Sequence, residues 1–355
     1  MIGVMILGMN YKDIAVLITG GTGSFGNYFV NHLLSKDTFR KIIIYSRDEF
    51  KQNNMYKKLC LKYGSDKVDE QVRFFIGDVR DRDRLCRAFN GVDYAIHAAA
   101  MKQVPACEYN PFEAIKTNIN GAQNVIDAAL DRGVKRVVAL STDKAVSPIN
   151  LYGGTKLVSD KLFVSANAYS GFAGTRFSVV RYGNVAGSRG SVIPYFRELL
   201  ERGQNILPIT DKRMTRFWMT LEDAGALVLR ALDESKGGEV YVHKNPSFKV
   251  IDLAEAMNPD GKIEEVGIRE GEKIHESMIT KDDARTTFEY DNHYIIYPQL
   301  SWWSYKEIKR NGMPVGHEWE YSSERNDIWL SIANLKERLN NLDDEIDYEY
   351  SKLSI

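Results

Sequence analysis

A glycine turn, Thr19-Gly-Gly-Thr-Gly-Ser-Phe-Gly26, joins a short apolar run at residues 14–19 to a helical pattern in which Phe25, Phe29, Val30, Leu33 and Leu34 recur. That order admits few folds. Without side chains, Gly20, Gly23 and Gly26 let the chain reverse tightly and leave the first N–H groups of the helix open to an anion. Taken alone, GxxGxxG also fits an ordinary tight turn. The rest of the first half makes it specific. β-rich runs at Lys41–Ser46, Val72–Ile76, 93–98, 136–140 and 177–181 alternate with helical stretches, among them one capped by Asp81 ahead of Leu85, Cys86 and Phe89, and others at Gly121–Asp131 and 155–169. Such alternation predicts an α/β chain: a Rossmann-type doubly wound parallel sheet, covered on both faces.

After about residue 182 the rhythm changes. Gly183, Gly187, Gly190, Pro194 and Pro208 punctuate the chain, and strand-like pieces such as Val240–His243 stand isolated. This predicts a dinucleotide-binding domain at 12–182, a smaller C-terminal substrate-binding lobe at 183–330, and an acidic helix or tail at 331–355. Residues 1–11 read as a tail in which Met9 is an alternative start. A chain of 355 residues is long enough for both lobes. Lysine and arginine number 47 against 48 acidic residues, a net charge of −1 that offers no general attraction to nucleic acid or to a membrane surface. No apolar run reaches bilayer-spanning length. Cys60, Cys86 and Cys107 have neither CxxC nor metal-ligand spacing, which points to reduced thiols in the cytoplasm. His97 and His275 belong to no ligand motif and read as structural histidines, so no metal is expected.

The end of the second β-rich run selects a cofactor. Tyr45-Ser46-Arg47-Asp48-Glu49 carries a guanidinium suited to a 2′-phosphate, with Ser46 and Lys51 as further donors. This favours NADP. The competing reading leaves Arg47 and Lys51 solvated, with Asp48 accepting from the ribose hydroxyls of NAD. Gly20, Thr22, Gly23, Ser24, Phe25 and Gly26 would cradle the pyrophosphate. Asp78 and Val79 would flank the adenine, and Ala98, Ala99 and Ala100 would clear the approach to the sheet.

The fifth run ends Ser141-Thr142-Asp143-Lys144, and Tyr152-Gly-Gly-Thr-Lys156 follows. Tyr152 and Lys156, four apart, share one helix face. There the ammonium can lower the phenol's pKa and hold a nicotinamide ribose, letting phenolate accept a hydroxyl proton during hydride transfer. A YxxxK pair by itself is common. With the glycine turn upstream and Thr142 at a strand end, it points to an oxidoreductase core.

These residues, with the strings YSRDE, FIGDVRD, HAAAMKQVPACEYNP, STDKAVSPINLYGGTK, VVRYGNVAGSRGSV, MTRFW and GIREGEKIHE, are those of a known group. The chain resembles the extended short-chain dehydrogenase/reductase family from about residue 12 to 329. Within it, the resemblance is to UDP-N-acetylglucosamine 4,6-dehydratases of the inverting, pseudaminic-acid-pathway type. It implies a tightly bound NADP recycled within each turnover, UDP-N-acetylglucosamine as substrate, and a homo-oligomer paired through the helices near 112–131 and 155–169. It further implies that Tyr152 removes the O4 proton with Thr142 and Lys156 in support, that protonated Asp143 helps O6 leave as water, and that neutral Lys144 takes the C5 proton. Burial beside Lys156 is expected to push Lys144 toward neutrality. By the same resemblance, Val185 and Lys102 lie near the cofactor, and Lys102, Asn184, Gly190, Ser191, Val192, Arg216, Arg269 and Glu272 near the nucleotide sugar. A C5-retaining dehydratase, a UDP-sugar 4-epimerase and a non-catalytic NADP sensor are the rival readings. The Asp143-Lys144 pair speaks against the epimerase, and Thr142, Tyr152 and Lys156 together speak against the sensor.

Overall fold

The computed structural model describes residues 11–171, 174–188, 190–299 and 311–350, with side chains up to residue 342. The proposed tail and alternative start at Met9 lie outside the described residues. Six parallel strands form the first half: β1 (Ala15–Thr19), β2 (Lys41–Ser46), β3 (Val72–Ile76), β4 (Tyr94–His97), β5 (Arg136–Thr142) and β6 (Arg176–Tyr182). They are followed by β7 (Ile206–Ile209), β8 (Thr215–Phe217), β9 (Val240–His243), β10 (Ser247–Lys249), β11 (Lys262–Glu265), β12 (Ser277–Ile279), β13 (Thr287–Glu289), β14 (His293–Ile296), β15 (Met313–Pro314) and β16 (Tyr321–Ser322). The main sheet runs β15-β13-β14-β9-β6-β5-β4-β1-β2-β3, parallel from β3 to β9 and antiparallel beyond.

Side-chain alternation explains why both faces are covered. Val16, Ile18, Ile42, Ile44, Ile96 and Val138 enter one apolar core; Leu17, Ile43, Ala95, Val137 and Ala139 enter the other. Neighbours along each strand point oppositely, so a continuous apolar run feeds two cores at once. Helices Ser24–Lys36 and Leu221–Glu234 close the first face, Gly121–Asp131 and Leu151–Ala166 the second. The buried side of Ser24–Lys36 contains the five apolar residues that set its pattern, and the Asp81 side chain accepts from Arg84 N at 2.9 Å as the anticipated cap. Strand order reverses beside β1 and β4, which opens a crevice beyond the strand C-termini.

The second half departs from its expected layout by adding β9, β14, β13 and β15 to the main sheet. Val240–His243 is not isolated: as β9 it pairs in parallel with β6 and extends the main sheet. The excursion between these strands hides that partnership from a local reading. Part of the excursion joins a smaller lobe, where Ile193, Trp218, Phe248 and Leu253 pack together. The helix Ile332–Tyr350 docks there through Leu335, Leu339 and Leu342.

Candidate active site

At the β1 turn, Gly20 has φ +67°, and a Cβ there would lie 2.8 Å from Ala99 N. A Cβ on Gly26 would fall 2.3 Å from Gly21 O. Gly23 caps the helix without a side-chain hydrogen bond. The turn is thus a bare cradle at a helix N-terminus, which fits a dinucleotide pyrophosphate. At the end of β2, Ser46 Oγ accepts from Gln52 Nε2 at 2.9 Å. The Arg47 side chain is 61% exposed, with Nη1 3.7 Å from Asp78 Oδ2. Asp48 is engaged elsewhere. It caps the helix Glu49–Tyr63, accepting from Lys51 N at 3.0 Å, and its other oxygen pairs with Lys51 Nζ at 3.3 Å.

The reactive end is assembled from two elements in contact. After β5 the chain makes a single tight turn, Asp143–Ala145. The helix Leu151–Ala166 begins four residues before its expected start at 155, because the Asn150 side chain caps it by accepting from Gly153 N at 2.8 Å. A Cβ on Gly153 would sit 2.1 Å from Lys144 O, so glycine lets the helix press against the turn. This contact brings Tyr152 and Lys156 beside Thr142, Asp143 and Lys144.

Lys144 Nζ donates to Asp143 Oδ1 and Asn184 Oδ1, each at 3.1 Å, and lies 3.6 Å from Glu276 Oε1. Thr142 Oγ1 donates to Asp143 Oδ1 at 2.9 Å. Lys156 Nζ donates to Leu140 O at 2.7 Å. Burial raises the Tyr152 phenol to about 12, against the opposing pull of Lys144 and the Thr142 hydroxyl. Burial lowers Lys156, with Asp160 opposing. Lys144 corrects an expectation. Burial does push its ammonium down, but Asp143 and Glu276 together outweigh that and hold it above the ordinary lysine value. Its anionic neighbours are these two carboxylates, with Arg216 opposing them, and sequence proximity to Lys156 did not reveal them. The cation that lowers the phenol's pKa is likewise Lys144.

One cavity of about 660 Å³ connects these groups. Its wall includes all the anticipated cofactor positions from Gly20 to Val185, together with Lys102, Asn184, Gly190, Ser191, Arg216, Arg269 and Glu272. Asp143 lies behind the wall, 1% exposed. Val192 is also off the wall and packs into the small-lobe core. Arg216 is locked by Nη1 to Ile274 O and Nη2 to Lys273 O, both at 3.0 Å, and its Nη2 is 3.4 Å from Glu272 Oε1. Sequence reasoning passed over Tyr182, Lys273 and Glu276, which also line the cavity. Glu276 stands in GIREGEKIHE, but nothing local distinguishes it from its neighbours.

His97 is buried at the end of β4, its Nδ1 2.9 Å from Thr19 Oγ1, and burial, aided by Lys156, depresses it to about 3. His275 Nδ1 lies 2.8 Å from Thr215 Oγ1. No group of three metal-ligating side chains occurs among the described residues. No helix among them is long and apolar enough to cross a membrane.

A doubly wound sheet with a glycine cradle at β1 and a Thr–Tyr–Lys cluster over β5 defines a short-chain dehydrogenase/reductase. More particularly, the chain belongs to the polysaccharide biosynthesis protein family, whose sequence model matches residues 16–298. It is 50% identical over 340 residues to the UDP-N-acetylglucosamine 4,6-dehydratase (inverting) of Campylobacter jejuni subsp. jejuni serotype O:2, spanning 93% of this chain and 98% of that protein. It is 41% identical over 293 residues to the UDP-glucose 4-epimerase of Rickettsia canadensis, spanning 81% and 83%. Among solved structures, Pen from Bacillus thuringiensis superposes with a TM-score of 0.84 at 38% identity, covering 94% of this chain and all of that one.

Proposed function

We propose that this protein dehydrates UDP-N-acetylglucosamine across C4–C6 with NADP and inverts C5, yielding UDP-2-acetamido-2,6-dideoxy-L-arabino-hexos-4-ulose as the first step of pseudaminic-acid-type biosynthesis. The observation that carries this reading is the Asp143–Lys144 pair: Lys144 lines, with Thr142, Tyr152 and Lys156, a cavity that extends to Arg216, and Asp143 pairs with Lys144 from behind the wall. The 50% identity to an inverting dehydratase supports it further. A 4-epimerase needs a proton acceptor at O4 but no acid and base for C6 and C5, and the similarity to the Rickettsia protein is lower.

What the dinucleotide would supply when bound is an acceptor for the C4 hydride and, after water has left, the donor that returns it to C6, so that it recycles within one turnover. Tyr152, as the phenolate, takes the O4 proton while Thr142 holds that oxygen. The resulting 4-ketone acidifies C5–H. Lys144 must then be an amine and Asp143 a carboxylic acid. One proton passing along their 3.1 Å hydrogen bond creates both forms without changing net charge. The Lys144 amine removes the C5 proton, Asp143 protonates departing O6, and C5 is reprotonated from the opposite face. Arg216 and Arg269 serve the diphosphate and Glu272 the ribose. Incubation with UDP-N-acetylglucosamine in D2O is expected to give loss of water, a C6 methyl signal, deuterium at C5 and ring couplings of the inverted sugar. UDP-N-acetylgalactosamine at unchanged mass would replace this reading with epimerisation.

NADP is favoured because Arg47 is exposed at the cavity while Asp48 is committed to its helix cap. Arg47→Ala is expected to weaken NADP about ten- to a hundredfold, with far less effect on NAD, the cost of one charge-assisted contact. Titration calorimetry with both dinucleotides checks this, and equal losses would remove Arg47 as reader of the 2′-phosphate. The free thiols of Cys60, Cys86 and Cys107 suit a cytoplasmic enzyme. Exposed Tyr109, Phe112, Val158 and Tyr169 suit the inferred homo-oligomer.

A further inference from the structure

Glu276 lies just before β12, and its residue is only 2% exposed. Its Oε1 stands between two cations, 3.6 Å from Lys144 Nζ and 3.8 Å from Arg216 Nε. Its Oε2 is buried without a hydrogen-bond partner. The backbone beneath it is pinned: Glu276 N donates to Ser323 Oγ at 2.9 Å, and Ser323 N donates to Glu276 O at 2.7 Å. A carboxylate is costly to bury and is retained where it faces a specific charge. Glu276 also stands too close to Lys144 to be a second base across C5. Groups on opposite faces of one carbon, each at about 3 Å from it, would be separated by roughly twice that distance.

We propose that Glu276 is a positioning residue of the reaction, holding the Lys144 side chain at the cavity wall and joining it to the wall that carries Arg216. The proposal rests on the dehydratase reading for its catalytic consequence, but not for its effect on Lys144 itself. The charged and titratable groups around Lys144 are Asp143 on its own turn, Tyr152 on the helix Leu151–Ala166, Arg216 on β8, and Lys273 and Glu276 on the segment before β12. Two carboxylates thus favour the ammonium, while Arg216 and Lys273 oppose it. An anion beside an ammonium favours the protonated form, so removing Glu276 lets the amine appear at lower pH.

Glu276→Gln preserves shape and removes the charge. It is expected to move the pH onset of Lys144 acetylation by acetic anhydride, read by peptide mass spectrometry, about one unit lower. The same variant is expected to lose roughly tenfold in kcat for water loss, with KM for the UDP-sugar changed less than about threefold. Glu276→Asp keeps the charge and is expected to return the onset toward its original value, which a purely structural role would not do. An unmoved onset in Glu276→Gln overturns the proposal. So does a raised KM at unchanged kcat, which would assign Glu276 to the substrate clamp. If Glu276→Gln does not fold, Glu276→Asp decides: a lowered onset in that charged variant overturns the proposal, and a retained one supports it. Should the native protein dehydrate no UDP-sugar, the acetylation shift still decides for or against Glu276, and only the functional reading falls.

Discussion

Lys144→Ala is expected to bind the dinucleotide normally yet lose at least about a thousandfold in dehydration, within the range for removing a proton-transfer group. Its place explains why loss falls so specifically. Lys144 sits on the turn after β5, held by Asp143, Asn184 and Glu276, while the glycine cradle is built separately at the end of β1. Without the amine, C5 keeps its proton and water cannot leave, but Tyr152 and Thr142 still face O4. Sugar oxidised at C4 should therefore accumulate. Quenching with borodeuteride and weighing the sugar would reveal deuterium at C4, with none at C5 after incubation in D2O. Near-normal water loss would exclude Lys144 as the C5 base.

Tyr152→Phe is expected to fail one step earlier, by roughly 10²- to 10⁴-fold, because it removes the acceptor of the O4 proton while preserving the buried ring. Here borodeuteride should label neither carbon, and thermal stability should change little. Burial holds the phenol near 12, so its proton stays on at neutral pH until the environment changes around it. Lys144 opposes that rise directly. Losing Lys144 thus leaves Tyr152 harder to ionise, and C4 oxidation in Lys144→Ala should be slowed as well as stranded. A Tyr152→Phe protein that still oxidises C4 would assign the first proton to another group.

The parts of this arrangement that were legible in the sequence are those set by short-range periodicity. The apolar strands, the glycine turn and the face shared by Phe25, Phe29 and Val30 each depend on neighbours within a few residues. The helix carrying Tyr152 starts earlier than local propensity predicts, because Gly153 and Gly154 disfavour helix locally. The Asn150 cap and the contact with Lys144 O override that preference. β9 was hidden because its partner β6 lies beyond a long excursion. For a related reason, Lys144 has a protonation state that escapes a local reading. Its burial was legible from strand context, but its state depends on Glu276, brought from 132 positions downstream by the packing of β12.

The close seat of Gly153 against Lys144 O also has a mechanical meaning. With about an atom's width between the two backbones, the turn bearing Thr142, Asp143 and Lys144 and the helix bearing Tyr152 and Lys156 move as one block. The segment before β12 is tied to the same block, by Glu276 at 3.6 Å from Lys144 and by the Asn150 side chain, which donates to Gly271 O at 2.8 Å. The proton-handling groups form an anvil, their spacing set by backbone contact before a sugar nucleotide enters.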